Sequence, residues 1–313
     1  MKAFAVDAFG EEGSVQELPT PEPGEGQVRV RVEAASVNPV DNSILGGAYK
    51  DYMPHHYPLI PGMDLGGVVD ALGPGVSGFA VGDAVFGNHG KMSVGEGTFA
   101  EYTVASAGTI AHRPPSIDAP FGSALSLAGV SALEMVDAAA PQAGDVVVVL
   151  GAAGGIGSIA VQLLVEAGAT VVAVATSLNH PYLTDLGAAE TIDYRRQDVV
   201  EAIRTAHPEG VAALLDMVGD KDRVTAVAAL VRSGGHVVSM MRAADVEVLA
   251  ARGITGVNIG TQVTTEKLAR LADAVTAGTI RRPNITTVPL DQAGAALAEC
   301  ATRHVRGKLV VIP

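Results

Sequence analysis

Residues 146–177 read VVVVLGAAGGIGSIAVQLLVEAGATVVAVATS. A run of valines stops at Gly151, and a helical pattern opens at Gly155. A buried strand, a glycine turn and a helix in that order form the unit that receives a dinucleotide. The turn needs residues with no Cβ to clash, because a pyrophosphate must approach the backbone closely. The helix start then offers amides without intrahelical acceptors and the positive end of the helix dipole. Gly157 lets the helix lie against the strand. The run is not a complete G-x-G-x-x-G: Ala152 takes the first position, followed by Gly154 and Gly157. Four further strand–helix units after the turn supply the context that the glycines alone lack.

The second strand ends Val174-Ala175-Thr176-Ser177-Leu178-Asn179-His180. An NAD-binding chain usually presents Asp or Glu to the ribose hydroxyls at this point. No carboxylate stands here in the sequence. Thr176 and Ser177 are small hydrogen-bond donors that leave room for a 2′-phosphate, so the sequence favours NADPH over NADH.

The rest of the chain fits this frame. Its 313 residues suit two domains. Residues 1 to about 115 are β-rich and cut by Gly and Pro, and VRVRVEAASV alternates as a half-buried strand does. From residue 123 the pattern becomes helical, then short Val-rich strands alternate with helices. That is the signature of a doubly wound parallel sheet. Helices are expected at 155–167, 180–186, 222–231 and 264–278, and the tail reads strand, helix, strand. A formal net charge of −13 with 4% aromatics gives no surface for nucleic acid. The single cysteine, Cys300, supplies neither an internal disulfide nor a Cys-rich zinc site. No signal-peptide pattern opens the chain, and the longest apolar runs fall far below the ~20 residues of a membrane span. A cytoplasmic protein is expected, with no membrane partner.

Several ordered stretches carry a resemblance over essentially the whole chain. They are SVNPVDNSILGG, PLIPGMDLGGVV, GVSGFAVGDAVFG, GTFAEYTV, SLAGVSALEMV, GAAGGIGSIAVQLL, LGAAETIDYR, LLDMVG and RGKLVV. The chain resembles the medium-chain dehydrogenase/reductases, more narrowly the zinc-independent quinone oxidoreductase (zeta-crystallin-like) branch. The resemblance implies an α/β protein with a GroES-like β-rich domain over 1–119 and 280–313. A Rossmann doubly wound parallel-sheet domain would cover 120–279. It further implies a homodimer and an active site in the cleft between the domains.

Site residues transfer one by one from that resemblance. Asn38 and Asp41 match an N-P-x-D element beside nicotinamide and substrate. Ser131 falls where a Thr or Ser lies near the nicotinamide. Ala153, Gly154, Gly155 and Ile156 match the pyrophosphate turn. Ser177, with Thr176 beside it, and Tyr194 fall at positions that approach the 2′-phosphate. Val218 and Met240 follow later strands, where backbone contacts to the cofactor are expected. Lys308 matches a C-terminal lysine near the cofactor. One departure stands out: relatives carry a Lys shortly after the Ser of strand two, where this chain has Leu178-Asn179-His180. Arg195 or Arg196 is the expected replacement.

No metal is expected. The place of a Gly-His-Glu zinc element reads Pro61-Gly62-Met63-Asp64, and His55 and His56 are adjacent in a loop pattern. The expected reaction is hydride transfer from NADPH to a small-molecule quinone or α,β-unsaturated carbonyl. Charge on such a substrate spreads into an enolate that a few hydrogen bonds can support. Tyr49 is a candidate donor to the substrate oxygen. Asp41 is expected to orient rather than protonate, as an unshifted carboxyl ionised at pH 7. The alternatives are a trans-acting enoyl reductase on thioester substrates and a cofactor-binding protein with little catalysis. The loops 49–57 and 88–97 are expected to face substrate, and GITGVNI is read as an edge strand that pairs across a dimer.

Overall fold

The computed structural model describes residues 1–90 and 93–313. Lys91 and Met92, in the expected substrate-facing loop 88–97, lie outside the described residues. The chain forms two compact units. One comprises Met1–Leu127, Val263–Ala277 and Arg282–Pro313; the other comprises Ala128–Gln262 and Gly278–Arg281.

The second unit is built on a six-stranded parallel sheet. Its strands, in chain order, are Val146–Leu150, Thr170–Val174, Glu190–Ile192, Val211–Asp216, Val231–Ser239 and Thr255–Asn258. Numbered along the chain, they lie side by side in the order 3-2-1-4-5-6. Val146–Leu150 pairs with Thr170–Val174 on one side and Val211–Asp216 on the other. A strand covered on both faces reads as a continuous apolar run rather than an alternating one. Accordingly Val147, Val148, Val149 and Leu150 are all buried. Helices Gly155–Glu166 and His180–Asp185 follow the first two strands. Val199–Ala206 and Lys221–Ala228 bury Val199, Ile203, Val224 and Val227 in the core that also holds Val148, Val172, Leu214 and Val237.

Boundaries differ from expectation where a turn outweighs periodicity. The helix expected over 222–231 ends at Ala228, and Val231 opens the next strand. Two short helices, Val199–Ala206 and Val246–Ala250, stand where no helix was expected; Asp198 and Asp245 cap them. GITGVNI does form an edge strand, Thr255–Asn258.

The first unit holds a seven-stranded sheet. Its central strand, Gln27–Ser36, buries Val28, Val30, Val32 and Ala34 and turns Arg29, Arg31 and Glu33 away from the core. It pairs antiparallel with Asp64–Leu72 and with Tyr102–Ser106. The last strand, Lys308–Ile312, pairs with Ser36 and Ala35 at the end of the same strand.

Helix Thr265–Thr276 belongs to this unit, although the expected boundaries put 264–278 with the parallel sheet. The Thr265 hydroxyl donates to the carbonyls of Ile110 and Ala107, at 2.7 and 3.3 Å, and fixes the helix start there. Helix Ala119–Ala139 begins in the first unit and continues into the second. By length and composition it is apolar enough to cross a membrane, against expectation, but 83% of its most apolar window is buried inside the protein.

Candidate functional site

The parallel sheet gathers most of the expected cofactor residues at one edge, beyond the carboxyl ends of its strands. The strand order reverses between the first and fourth strands, which opens the crevice where such sheets bind dinucleotides. Gly151 leaves the first strand with φ +82°, and Gly154 caps the helix that Gly155 and Ile156 begin. At Gly157 an added Cβ would stand 2.4 Å from the Gly151 carbonyl oxygen, so helix and turn touch backbone to backbone. Ala153, within the turn, is buried. This cradle fits a pyrophosphate: the amides at the start of a helix have no intrahelical acceptor, and around Gly154 an added Cβ would meet only the Gly151 carbonyl oxygen, at 3.4 Å.

The later strands bring further residues in. Val218 abuts the turn, its Cγ2 lying 3.2 Å from where a Gly151 Cβ would be. The buried Asp216 carboxylate organises this loop, accepting from the amides of Val218 and Gly219 and from the Ser239 hydroxyl. Met240 donates its amide to the Asp216 carbonyl. Its sulfur lies 3.8 Å from the Thr261 hydroxyl, which in turn is 2.7 Å from the Ser131 hydroxyl. Ser131, Met240 and Thr261 therefore form one cluster, and Thr261 was invisible in sequence because its partner lies 130 residues away.

At the ends of the second and third strands the geometry adds what sequence order hid. Against the expectation that no carboxylate stands at the end of the second strand, Asp193, at the end of the third, brings one to Ser177. It accepts the Ser177 amide at 3.0 Å and the Arg195 amide at 2.9 Å. These hydrogen bonds hold its carboxyl below the usual carboxylate range. Thr176 accepts from the Asn179 side chain. Tyr194 packs its ring on the core, with the guanidiniums of Arg223 and Arg195 at 5.2 and 5.9 Å from the ring centre.

The first unit holds a buried polar network. Asn38 caps helix Pro39–Leu45, and its amide donates to the Asp41 carboxylate at 2.7 Å. Its side chain donates to Asp64 at 2.8 Å and accepts from the Lys308 ammonium at 2.6 Å. Lys308 also donates to the Val37 carbonyl at 2.8 Å and is only 4% exposed. Asp64 accepts further hydrogen bonds from Ser36, Asn88 and the Leu127 amide. Burial pushes the Asp64 carboxyl up and the Lys308 ammonium down; each charge partly restores the other.

Asp41 differs from the expected unshifted carboxyl. Burial raises it from 3.8 to about 7, against the Asn38 hydrogen bond, and its Oδ1 finds no hydrogen-bond partner. It is wholly buried, and its Oδ2 holds the Asn38 amide at the start of the helix. Tyr49 stands outside this network, 36% exposed in the turn after the helix. His55, expected in a solvated loop, lies in strand His55–Ile60 with its ring against Phe9 and Tyr57.

Comparison with known proteins agrees with this architecture. Residues 24–115 match the alcohol dehydrogenase GroES-like domain, and residues 186–311 match the zinc-binding dehydrogenase family. The quinone oxidoreductase of Sus scrofa is 30% identical, over all of this chain and 98% of that one. The chloroplastic quinone-oxidoreductase QR1 of Triphysaria versicolor is 34% identical over 62% of this chain, a match spanning 61% of that protein. The chloroplastic NADPH-dependent alkenal/one oxidoreductase of Arabidopsis thaliana is 28% identical over all of this chain and 80% of that one. Among solved structures, the Coxiella burnetii quinone oxidoreductase superposes with a TM-score of 0.89 at 31% identity, covering 100% of this chain and 99% of that one. The chain belongs to the medium-chain dehydrogenase/reductase superfamily, in its quinone oxidoreductase branch. It pairs a GroES-like domain with a Rossmann-type sheet, the fold of a nicotinamide-dependent oxidoreductase.

Proposed function

We propose that the chain reduces a quinone or α,β-unsaturated carbonyl with NADPH and without a metal ion. The glycine turn at the switch point of the parallel sheet carries this reading, since its open amides suit a pyrophosphate. The bound dinucleotide supplies hydride at C4 of its nicotinamide. The protein's part is to bind, orient and desolvate. Gly154, Gly155 and Ile156 hold the pyrophosphate, with the buried Ala153 in the same turn. Ser131, fixed by Thr261, and the loops at Val218 and Met240 flank the nicotinamide half. Thr176, Ser177 and Tyr194 take the 2′-phosphate end. Asn38 and Asp41 position the loop on the substrate side, held there by Lys308 and Asp64. The Tyr49 hydroxyl donates to the substrate oxygen.

The donor set supports a reaction without zinc, although one matching family is described as zinc-binding. Both Asp64 oxygens accept hydrogen bonds, and the Lys308 ammonium is near enough to act on its charge. Among the described residues, no three His, Cys, Asp or Glu side chains converge as metal ligands. Without a Lewis acid, a substrate that spreads charge into an enolate or a hydroquinone anion is the favourable one.

The test is fluorescence titration with NADPH and NADH at equal ionic strength, followed by turnover with a panel of quinones and enones in buffer treated with chelator. Expected are NADPH binding at least about ten-fold tighter, turnover insensitive to chelator, and a lower kcat in Tyr49→Phe at unchanged NADPH affinity. Binding without turnover across the panel would reduce the chain to a cofactor-binding protein. Loss of turnover on chelation would overturn the metal-free chemistry.

A further inference from the structure

The lysine that relatives carry after the serine of strand two is replaced here by Leu178-Asn179-His180, and Leu178 is 80% exposed. The Ser177 amide, the nearest backbone donor, is already held by Asp193 at 3.0 Å. Of the two expected replacements, Arg196 sets its Nε 3.8 Å from the same Asp193 carboxylate. With Arg196 drawn to Asp193, a phosphate at this end of the crevice needs a cation other than Arg196.

Tyr194 shows where one comes from. Its ring carries the Arg195 guanidinium at 5.9 Å and the Arg223 guanidinium at 5.2 Å from the ring centre. Arg223 sits in the first turn of helix Lys221–Ala228, after the fourth strand, and its side chain is 33% exposed. Its acidic neighbour Asp220 is 3.6 Å away, an exposed pair of the weak i,i+3 kind. Asp220 is also engaged as helix cap, accepting the Arg223 amide at 3.1 Å. The ring thus gathers two cations beside it, and an anion bound there would be attracted by both. A guanidinium grips phosphate oxygens through paired N–H donors.

We propose that Arg223, braced on the Tyr194 ring, binds the 2′-phosphate of NADP(H) and sets the preference over NADH. The proposal rests on the NADPH reading above. It moves the cation for that phosphate from the loop after strand two to a helix after strand four.

The experiment is equilibrium titration of the full-length wild type, Arg223→Ala and Arg223→Lys with NADPH and with NADH. In Arg223→Ala, NADPH binding weakens about ten-fold or more while NADH binding changes less than about two-fold. Arg223→Lys recovers part of the loss. The NADH arm also reports whether the variant is folded. A wild-type preference for NADPH that survives Arg223→Ala overturns the proposal and leaves the NADPH reading standing. Equal losses for both dinucleotides place the arginine on the shared adenosine and also overturn it. A wild type that binds both equally removes the NADPH reading and the proposal together.

Discussion

Asp41 shows what burial does to a single carboxyl. Its pKa of about 7 stands above the ordinary 3.8, so the folded protein holds this proton more tightly than the unfolded chain does. Between pH 4 and 7 the unfolded chain releases that proton while the folded one keeps it. Stability therefore falls as pH rises through this window, by at most about 4 kcal/mol, and levels off above it. Asp41→Asn keeps an acceptor for the Asn38 amide and has no proton to lose. Urea denaturation across pH 4 to 8 should show a shallower falling slope in the variant than in the wild type, the remainder coming from Asp64, which burial also pushes up; an unchanged slope would mean that Asp41 does not contribute. Periodicity and motif reading found Asp41 but not its environment. The groups that act on its charge, Asp64 and Lys308, are far away in sequence, and only the pairing of the last strand with Ala35 and Ser36 brings Lys308 in. Asp193 and Arg223 stayed hidden for the same reason, since neither lies in the loop that carries Ser177.

At the scale of elements the sequence was far more readable. A buried parallel strand and a glycine turn each demand particular residue types, so 146–177 announced its structure directly. Short helices with few apolar positions, such as Val246–Ala250, gave too little pattern, and their caps decided them. The turn itself is the element most sensitive to one atom. A methyl group at Gly157 would meet the Gly151 oxygen at 2.4 Å, and neither partner is a side chain that can swing aside. Gly157→Ala must push the helix away from the strand, at a cost of about 1–3 kcal/mol. A lower melting temperature together with loss of dinucleotide affinity is the expected outcome. Wild-type affinity in a folded Gly157→Ala would show that the close approach does not shape the cradle.

The largest scale is set by how the chain is threaded. The first unit is assembled from three segments, and its sheet is completed by Lys308–Ile312. Lys308 contributes both a strand residue and the buried cation of the polar network. Lys308→Met leaves Asp64 and the Asn38 carbonyl without that cation, and about 3–5 kcal/mol of stability should be lost. Thermal unfolding monitored in the first unit would register it; a melting temperature within a degree of the wild type would mean that the network tolerates the charge alone. The same threading has a consequence for synthesis. All the strands of the parallel sheet lie within Ala128–Gln262, so that sheet can form while the chain is still on the ribosome. The other sheet began to emerge earlier and must wait longer. Its central strand, Gln27–Ser36, is made long before Lys308–Ile312, the strand that pairs with Ala35 and Ser36 at its end. Until Lys308–Ile312 is made, the backbone at Ala35 and Ser36 lacks this partner, which makes the nascent first unit the part of this protein most in need of a chaperone.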